Sequence, residues 1–464
     1  LIVKGLNDFG IEIDEGMLSE TDEKGAYGPY TQSKRKDIYQ AYVKSLVEQG
    51  LAYPCFMTEE ELATIREKQE SEKLLPGVYG EFAKYRDITV EEAQKRIENG
   101  DEYVVRLKSP GKEDKRIKFK DVIKGEIEMP ENILDVVLLK KDGTPTYHFA
   151  HIVDDHLMRT THVIRGDEWI SSVPIHLQLF WLCGLKPPKY AHISPIMKEE
   201  NGGKRKLSKR KDPEAAVSYY SEVGYPKGAI WEYLMTLANS NYEDWRLANP
   251  NEDIDNFKFS FSKMSKAGAL FDMVKLADVS KNYICRLSAE EVYEMVTDWA
   301  KENNKKLYKL LVDDEDYAKA IFAIERGNAK PRKDISAWTD VENYVSYFYS
   351  ELWDRKFDFP DNLSNDDMIE ILELYKQIYD ENVSSDDWFP QVRDMAETIG
   401  YAKAPKVYKK DPDSYKGHVG DVAGVIRVAA TGRRNTPDLY EILQVLGKDE
   451  VMKRFDEAIE SLRG

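Results

Sequence analysis

The sequence predicts half of a doubly wound α/β domain followed by an all-helical tail, and three observations carry that prediction. Residues 133–140 (ILDVVLLK) are nearly all apolar, as a strand buried on both faces would be. Two more short apolar runs, 161–165 (THVIR) and 190–197 (YAHISPIM), flank a helix-length segment, VPIHLQLFWLCG, and a glycine-rich basic loop follows at once. From about Glu214 onward the hydrophobic period is helical, with almost no strand signal. Strand, helix, strand and loop in that order place the loop beyond the C-terminal ends of the strands, where such folds hold their ligands.

Along the chain, 34–48 (KRKDIYQAYVKSLVE) carries Ile38, Tyr42 and Leu46 at four-residue spacing, an amphipathic helix stopped by Gly50. Thr58 before EEELATIREKQESEKLL is an N-cap with acids in the first turn, so a second helix follows. The stretch 79–121 alternates apolar and polar residues around a Pro110-Gly111 turn and reads as antiparallel strands. Asp142-Gly143 turns the chain into PTYHFAHIVDDHLM. Ser171 or Ser172 caps the helix VPIHLQLFWLCG, with Pro174 tolerated in its first turn and Gly184 ending it. In the tail, 361–387 holds nine acids and one lysine, whereas 403–434 holds eight Lys or Arg against three Asp.

A chain of 464 residues, 42% hydrophobic and 33% charged, has material for several cores. No run approaches the ~18 uninterrupted apolar residues of a membrane span. The opening LIVKGLNDFGIEIDEG has neither the basic region nor the cleavage site of a signal peptide, so a cytoplasmic protein without membrane contact is expected. A formal net charge of -17 disfavours indiscriminate nucleic-acid binding, but local basic faces can still bind RNA. Cys55, Cys183 and Cys285 lie far apart without a CxxC pair, which predicts free thiols and no structural zinc.

The basic run GGKRKLSKRKDP, residues 202–213, gathers Lys204, Arg205, Lys206, Lys209, Arg210 and Lys211 in this acidic chain. A solvated surface loop is the simplest reading of such a run. Its position after a strand supports another. Lys206 and Lys209, three apart, can swing ammonium groups onto a triphosphate and offset the charge that develops when an acid attacks the α-phosphate. Ser208 can hydrogen-bond to hold the loop closed. Lys263, Met264, Ser265 and Lys266 spell a similar tetrapeptide, but no parallel-strand framework surrounds them, so they read as structural.

KLSKR at 206–210 resembles the KMSKS-type loop of class I aminoacyl-tRNA synthetases. DGTPTYHFAHIVDDHLM (142–158) and THVIRGDEWISS (161–172) resemble the segments preceding that loop in bacterial-type glutamyl-tRNA synthetases. DEG at 14–16 and YGPYTQSKRKDIY resemble that family's N-terminal half-domain, and SKAGALFD and VIRVAATGRR (425–434) its helical domains. The succession covers essentially the whole chain, in order.

The resemblance implies a Rossmann-like class I catalytic domain, first half 1–54 and second half 141–213, split by an inserted α+β acceptor-binding domain at 55–140. All-α stem-contact (214–290) and anticodon-binding (291–464) domains follow. It implies a monomer that activates glutamate with ATP and transfers it to the 3′ end of tRNA(Glu), with Mg2+ accompanying ATP. By the same resemblance Lys206 and Lys209 are the catalytic cations, and Ser208 and Trp169 complete the ATP site. Tyr147 and Arg165 hold the glutamate, and Arg433 and Arg434 contact the tRNA. An arginine suits a carboxylate because its planar fork donates two hydrogen bonds. Two structural readings compete: an ion pair of Arg165 with Asp167 or Glu168, and core packing of Trp169. His151 falls where family members carry varied residues, often Asn. Asp154, Asp155 and His156 lack the spacing of a metal site and are read as capping residues with contacts near the tRNA end. Some members bind zinc through cysteines in the inserted domain; here that region has only Cys55, and no metal is expected.

The family's HIGH-type motif, first strand and a substrate-binding arginine are not found. The chain begins without Met, just before its DEG segment, and as given is expected to be inactive. The competing functions are a tRNA-binding module without catalysis and a glutaminyl-tRNA synthetase, whose β-barrels the helical tail does not match.

Overall fold

Residues 2–464 are described by the computed structural model. They fall into two units, one running to Lys211 and including Met235–Phe271, the other made of Asp212–Leu234 and Asp272–Gly464. In the first unit the helix Lys36–Glu48 buries Tyr39, Val43 and Leu46, so its inner face is turned from the expected stripe of Ile38, Tyr42 and Leu46. Asp154 supplies the reason. Its carboxylate accepts from the Tyr39 hydroxyl at 2.7 Å and from Arg35 Nε at 2.8 Å, and Arg35 is only 2% exposed. A helix turned to bury Tyr42 would leave those polar groups unpaired.

Asp154→Ala therefore strands a buried guanidinium, which costs about 3–5 kcal/mol. Chemical denaturation should register a loss of that size. A loss below about 1 kcal/mol, the range of exposed pairs, would contradict this role for Asp154.

Thr58 caps the helix Glu59–Ser71 in a full capping box with Glu61. The stretch 79–121 is not all strand: Val90–Glu98 is a helix, and the Thr89 side chain accepts from the Glu92 N–H at its start. This segment does not alternate: Val90, Ala93 and Ile97 fall at helical spacing behind a capping threonine and two acids in the first turn. Val104–Leu107 pairs antiparallel with Ala52–Cys55 on one side and Val137–Leu139 on the other. Arg116–Asp121 pairs with Gly125–Pro130 instead, so the Pro110-Gly111 segment joins two sheets rather than two partners. The apolar run at 133–140 yields only the strand Val137–Leu139, in the antiparallel sheet. Asp135 interrupts it: this buried carboxylate collects the Tyr53 hydroxyl (2.9 Å), the Ser109 N–H (2.8 Å) and the Arg86 guanidinium.

The parallel pair forms as the sequence predicts. His162–Gly166 lies beside Lys189–Ile193, and the helix Val173–Leu182 makes the crossover. Phe149, Ile152 and Val153 of the helix Tyr147–Leu157 share one core with Leu179 and Phe180 of the crossover, and with Val43 and Leu138. The basic run is only partly a loop. Met197–Glu200 and Gly203–Lys206 form an antiparallel hairpin. It turns at Asn201-Gly202, where φ is 52° and 78°, a left-handed pair that Asn-Gly adopts readily.

The second unit carries helices and no strand among its described residues. Ala289–Asn303, Asn365–Ile378, Val419–Thr431 and Lys448–Arg463 contribute to a core around Phe322, Trp338, Val425 and Phe455. Its acidic and basic runs are partly each other's counterions. Lys416 bridges Asp367 (2.8 Å) and Glu370 (3.0 Å), and Arg434 reaches Asp358 (3.1 Å) and Asp361 (3.7 Å). No helix among the described residues is long and apolar enough to cross a membrane.

Candidate active site

Arg165 sits near the C-terminal end of the strand His162–Gly166, and the parallel register sets it opposite His192. Its Nε donates to His192 Nε2 at 3.0 Å. Nη1 and Nη2 both face His176 Nδ1 at 3.4 Å, and Nη2 donates to the Trp169 carbonyl at 3.3 Å. The guanidinium lies over the rings of Tyr190 (5.0 Å) and Trp169 (5.8 Å). Among the described residues it has no carboxylate partner. Asp167 goes instead to Lys124, 3.3 Å away. The competing ion-pair reading of Arg165 fails for that reason.

Tyr147 opens the helix Tyr147–Leu157 and is 49% exposed. Its ring packs 4.5 Å from that of Trp169 and lies parallel to His151. The fold thus brings Tyr147, Arg165 and Trp169 into one place.

Six of the seven histidines lie between His148 and His192, a clustering visible in the sequence that the family motifs do not mark. Four of them line this site. A guanidinium only donates, so His176 Nδ1 accepts, and its Nε2–H points at His148 Nδ1, 3.0 Å away. Burial, then the neighbouring His151 and Arg165, push His176 and His148 below the usual histidine range. Burial lowers His192 as well, against the opposing pull of Asp121. These three rings are therefore neutral at pH 7, and Arg165 is the site's cation. His151 Nε2 meets the Tyr190 hydroxyl at 3.0 Å, and its Nδ1 meets Asp155 at 2.5 Å. Asp154 and Asp155 thus brace the fold around the site rather than cap a helix. No group of three or more His, Cys, Asp or Glu with metal-holding geometry occurs among the described residues.

The KLSKR segment leaves the hairpin. In its strand Lys204 lies opposite Glu199, and Arg205 pairs with Glu200 at 3.0 Å, so part of the positive charge is neutralised locally. Lys206 and Lys209 are exposed. The base of the hairpin is clamped: Met197 N–H donates to the Ala269 carbonyl (2.8 Å) and Phe271 N–H to the Met197 carbonyl (2.7 Å). Lys124 Nζ reaches the Ser194 hydroxyl and the Lys266 carbonyl, the latter at 2.7 Å. A Cβ on Gly268 would stand 2.5 Å from the Pro195 carbonyl oxygen and 2.4 Å from Met197 Cγ, so glycine permits the close approach. The second KMSK-like tetrapeptide is therefore part of the strap that seats the hairpin.

In the second unit, Arg433 donates to Asn343 Oδ1 (2.8 Å) and Ser346 Oγ (2.9 Å). Arg434 donates to the carbonyls of Asp358 (2.9 Å) and Phe359. Both guanidiniums are engaged within their own chain, whereas Lys406, Lys409 and Lys410, around the short helix Pro405–Tyr408, are exposed.

The family of class I tRNA synthetases (E and Q), catalytic domain, matches residues 1–278, and the anticodon binding domain family matches residues 413–459. The chain is 54% identical over 457 residues to a glutamate–tRNA ligase of Clostridium perfringens (strain SM101 / Type A), a match covering 98% of this chain and 83% of that protein. The chain belongs to the glutamate–tRNA ligase family. The glutamate–tRNA ligase of Clostridium beijerinckii is 50% identical over 457 residues, covering 97% of this chain and 83% of that one. Among solved structures, a glutamate tRNA ligase from Elizabethkingia meningosepticum, in complex with its amino acid, is 27% identical with a TM-score of 0.74. That match covers 99% of this chain and 89% of that chain. As a glutamate–tRNA ligase the chain is a class I aminoacyl-tRNA synthetase, which uses ATP, an amino acid and tRNA. The glutaminyl-enzyme and non-catalytic readings give way to it, and the expectation of inactivity finds no support in these relatives.

Proposed function

We propose that this ligase binds the side-chain carboxylate of glutamate on Arg165, beside Tyr147, and closes the KLSKR segment on ATP. The observation that carries the proposal is Arg165 itself. It is a half-buried cation at the C-terminal end of a parallel strand, with only neutral partners among the described residues. A buried charge without a counter-ion is costly, and an anionic substrate supplies one. The α-carboxylate of glutamate attacks the α-phosphate of ATP, pyrophosphate leaves, and the acyl group then passes from the adenylate to a hydroxyl at the tRNA 3′ end, releasing AMP. Lys206 and Lys209 offset the charge on the phosphates, and Ser208 holds the segment closed. Mg2+ accompanies ATP and adds to that neutralisation. No side chain acts as a nucleophile.

Trp169, packed on Tyr147, forms a wall between amino acid and ATP. The tail binds tRNA(Glu) through the 214–290 and 291–464 segments, with the 55–140 segment on the acceptor end. Arg433 and Arg434 shape the loop that meets the RNA, and Lys406, Lys409 and Lys410 contact its phosphates. The enzyme works as a cytoplasmic monomer. Glutamate-dependent exchange of label between pyrophosphate and ATP, in the presence of tRNA, tests the reading. Exchange that requires glutamate is expected, and exchange driven equally by other amino acids would overturn it.

A further inference from the structure

Asp121 and His192 are fully buried, and neither belongs to a motif of the sequence. Asp121 ends the strand Arg116–Asp121, and its carboxylate is saturated with donors. Oδ1 accepts from the N–H groups of Ile123 (2.9 Å) and Lys124 (2.8 Å). Oδ2 accepts from the backbone N–H of His192 (3.1 Å) and from its Nδ1 (2.6 Å). On the other side of the ring, His192 Nε2 lies 3.0 Å from Arg165 Nε. Arginine has no acceptor, so Nε2 must accept and the proton must sit on Nδ1, facing Asp121. One tautomer fits, and it is neutral. Tyr190 stacks on the same ring at 6.0 Å, and Lys124 and Asp167 pair with each other nearby.

We propose that Asp121 and His192 are positioning residues that fix the plane of the Arg165 guanidinium so that its fork meets the glutamate carboxylate. The proposal rests on the reading of Arg165 as the carboxylate ligand. With Nε held by His192, the two bonds to a carboxylate fall to Nη1 and Nη2. The ring is locked in turn by Asp121, which is anchored through backbone N–H groups. An arginine freed to rotate about its own chain keeps its charge and loses its aim, and misplacement by about 1 Å can cost 10²-fold.

The test is steady-state kinetics on the enzyme with its tRNA, together with histidine-selective 15N NMR. The chain has seven histidines, few enough for assignment by substitution. His192→Phe fills the same space and makes neither bond. It should raise the glutamate KM about tenfold or more, leave the ATP KM unchanged and alter kcat little, the signature of lost uniform binding. His192→Gln, whose amide oxygen accepts from Arg165 and whose NH2 donates to Asp121, should recover most of that loss. Asp121→Asn turns an N–H toward Nδ1 and so places the ring proton on Nε2, against Arg165. It should raise the glutamate KM with His192 intact, and the 15N spectrum should change from the Nδ1–H to the Nε2–H pattern. In an Arg165→Ala background, His192→Phe should add nothing. If Arg165→Ala raises the glutamate KM and His192→Phe does not, the positioning role is overturned while the Arg165 reading stands. The positioning role also falls if His192→Phe acts equally in both backgrounds, if His192→Gln fails to recover binding while melting as the parent does, or if the parent shows the Nε2–H tautomer. If Arg165→Ala leaves the glutamate KM unchanged, the Arg165 reading itself fails and the positioning role with it.

Discussion

Arg165→Lys should lower kcat/KM for glutamate about 10- to 100-fold, the worth of one lost hydrogen bond to a charged group, while the circular dichroism spectrum stays native. The substitution keeps the charge, so simple Coulomb attraction predicts little change. The geometry predicts otherwise. Arg165 spends Nε on His192 and keeps Nη1 and Nη2 near His176 and the Trp169 carbonyl. A lysine ammonium is a single point of charge and cannot hold His192 and present a two-bond fork at once. No carboxylate of the protein pairs with Arg165 among the described residues, so the loss should fall on substrate binding rather than on folding. A near-normal kcat/KM would remove Arg165 from the glutamate site.

Lys209→Ala should cut glutamate-dependent pyrophosphate exchange by about 10²–10³-fold, the cost of deleting one donor aimed at developing charge. The melting temperature should not move, because Lys209 is exposed. Lys266→Ala is the informative control. It removes a lysine from an equally suggestive tetrapeptide whose contribution to the fold is a backbone carbonyl, which accepts from Lys124 and Ser194. Alanine keeps that carbonyl, so exchange should stay close to the parent's. Equal losses from the two substitutions would undo the assignment of the phosphate-binding segment.

How much of the fold is legible in the sequence depends on which residues are asked. The parallel pair and its crossover helix can be read from short apolar runs in strand–helix–strand order, even though only Lys189–Ile193 has a buried centre and Ile164 of the other strand is exposed. The Thr58 cap can be read because its chemistry is local. The inward face of Lys36–Glu48 cannot, since it is chosen by Asp154, 115 positions from Tyr39. Val90–Glu98 carries its own helical spacing in Val90, Ala93 and Ile97, but the alternating runs that follow it draw the whole stretch into a strand reading. The Asn201-Gly202 turn is a legible hairpin signal, masked by the conspicuous charge around it.

At the site, Tyr147, Arg165 and Trp169 can be named from short motifs, and the fold does bring them together. The histidines around Arg165 come from two helices and the neighbouring strand, and Asp121 from a hairpin more than forty residues earlier in the chain. Nothing local in the sequence joins them. Arg433 and Arg434 are legible as charge, but not as groups already bonded to Asn343, Ser346 and the 358–361 loop.

The central claim is that a site built on an arginine with no carboxylate partner among the described residues selects glutamate by the charge of its side chain. The most direct measurement offers the enzyme and its tRNA either glutamate or glutamine and compares kcat/KM for pyrophosphate exchange. The two substrates have the same shape, and differ in that glutamine brings an N–H donor and no charge where glutamate brings an acceptor. A site that hydrogen-bonds its substrate rejects the mismatched analogue by about 10⁴-fold, and a preference for glutamate of that order is the predicted result. Comparable rates with the two amino acids, or a preference for glutamine, would contradict it.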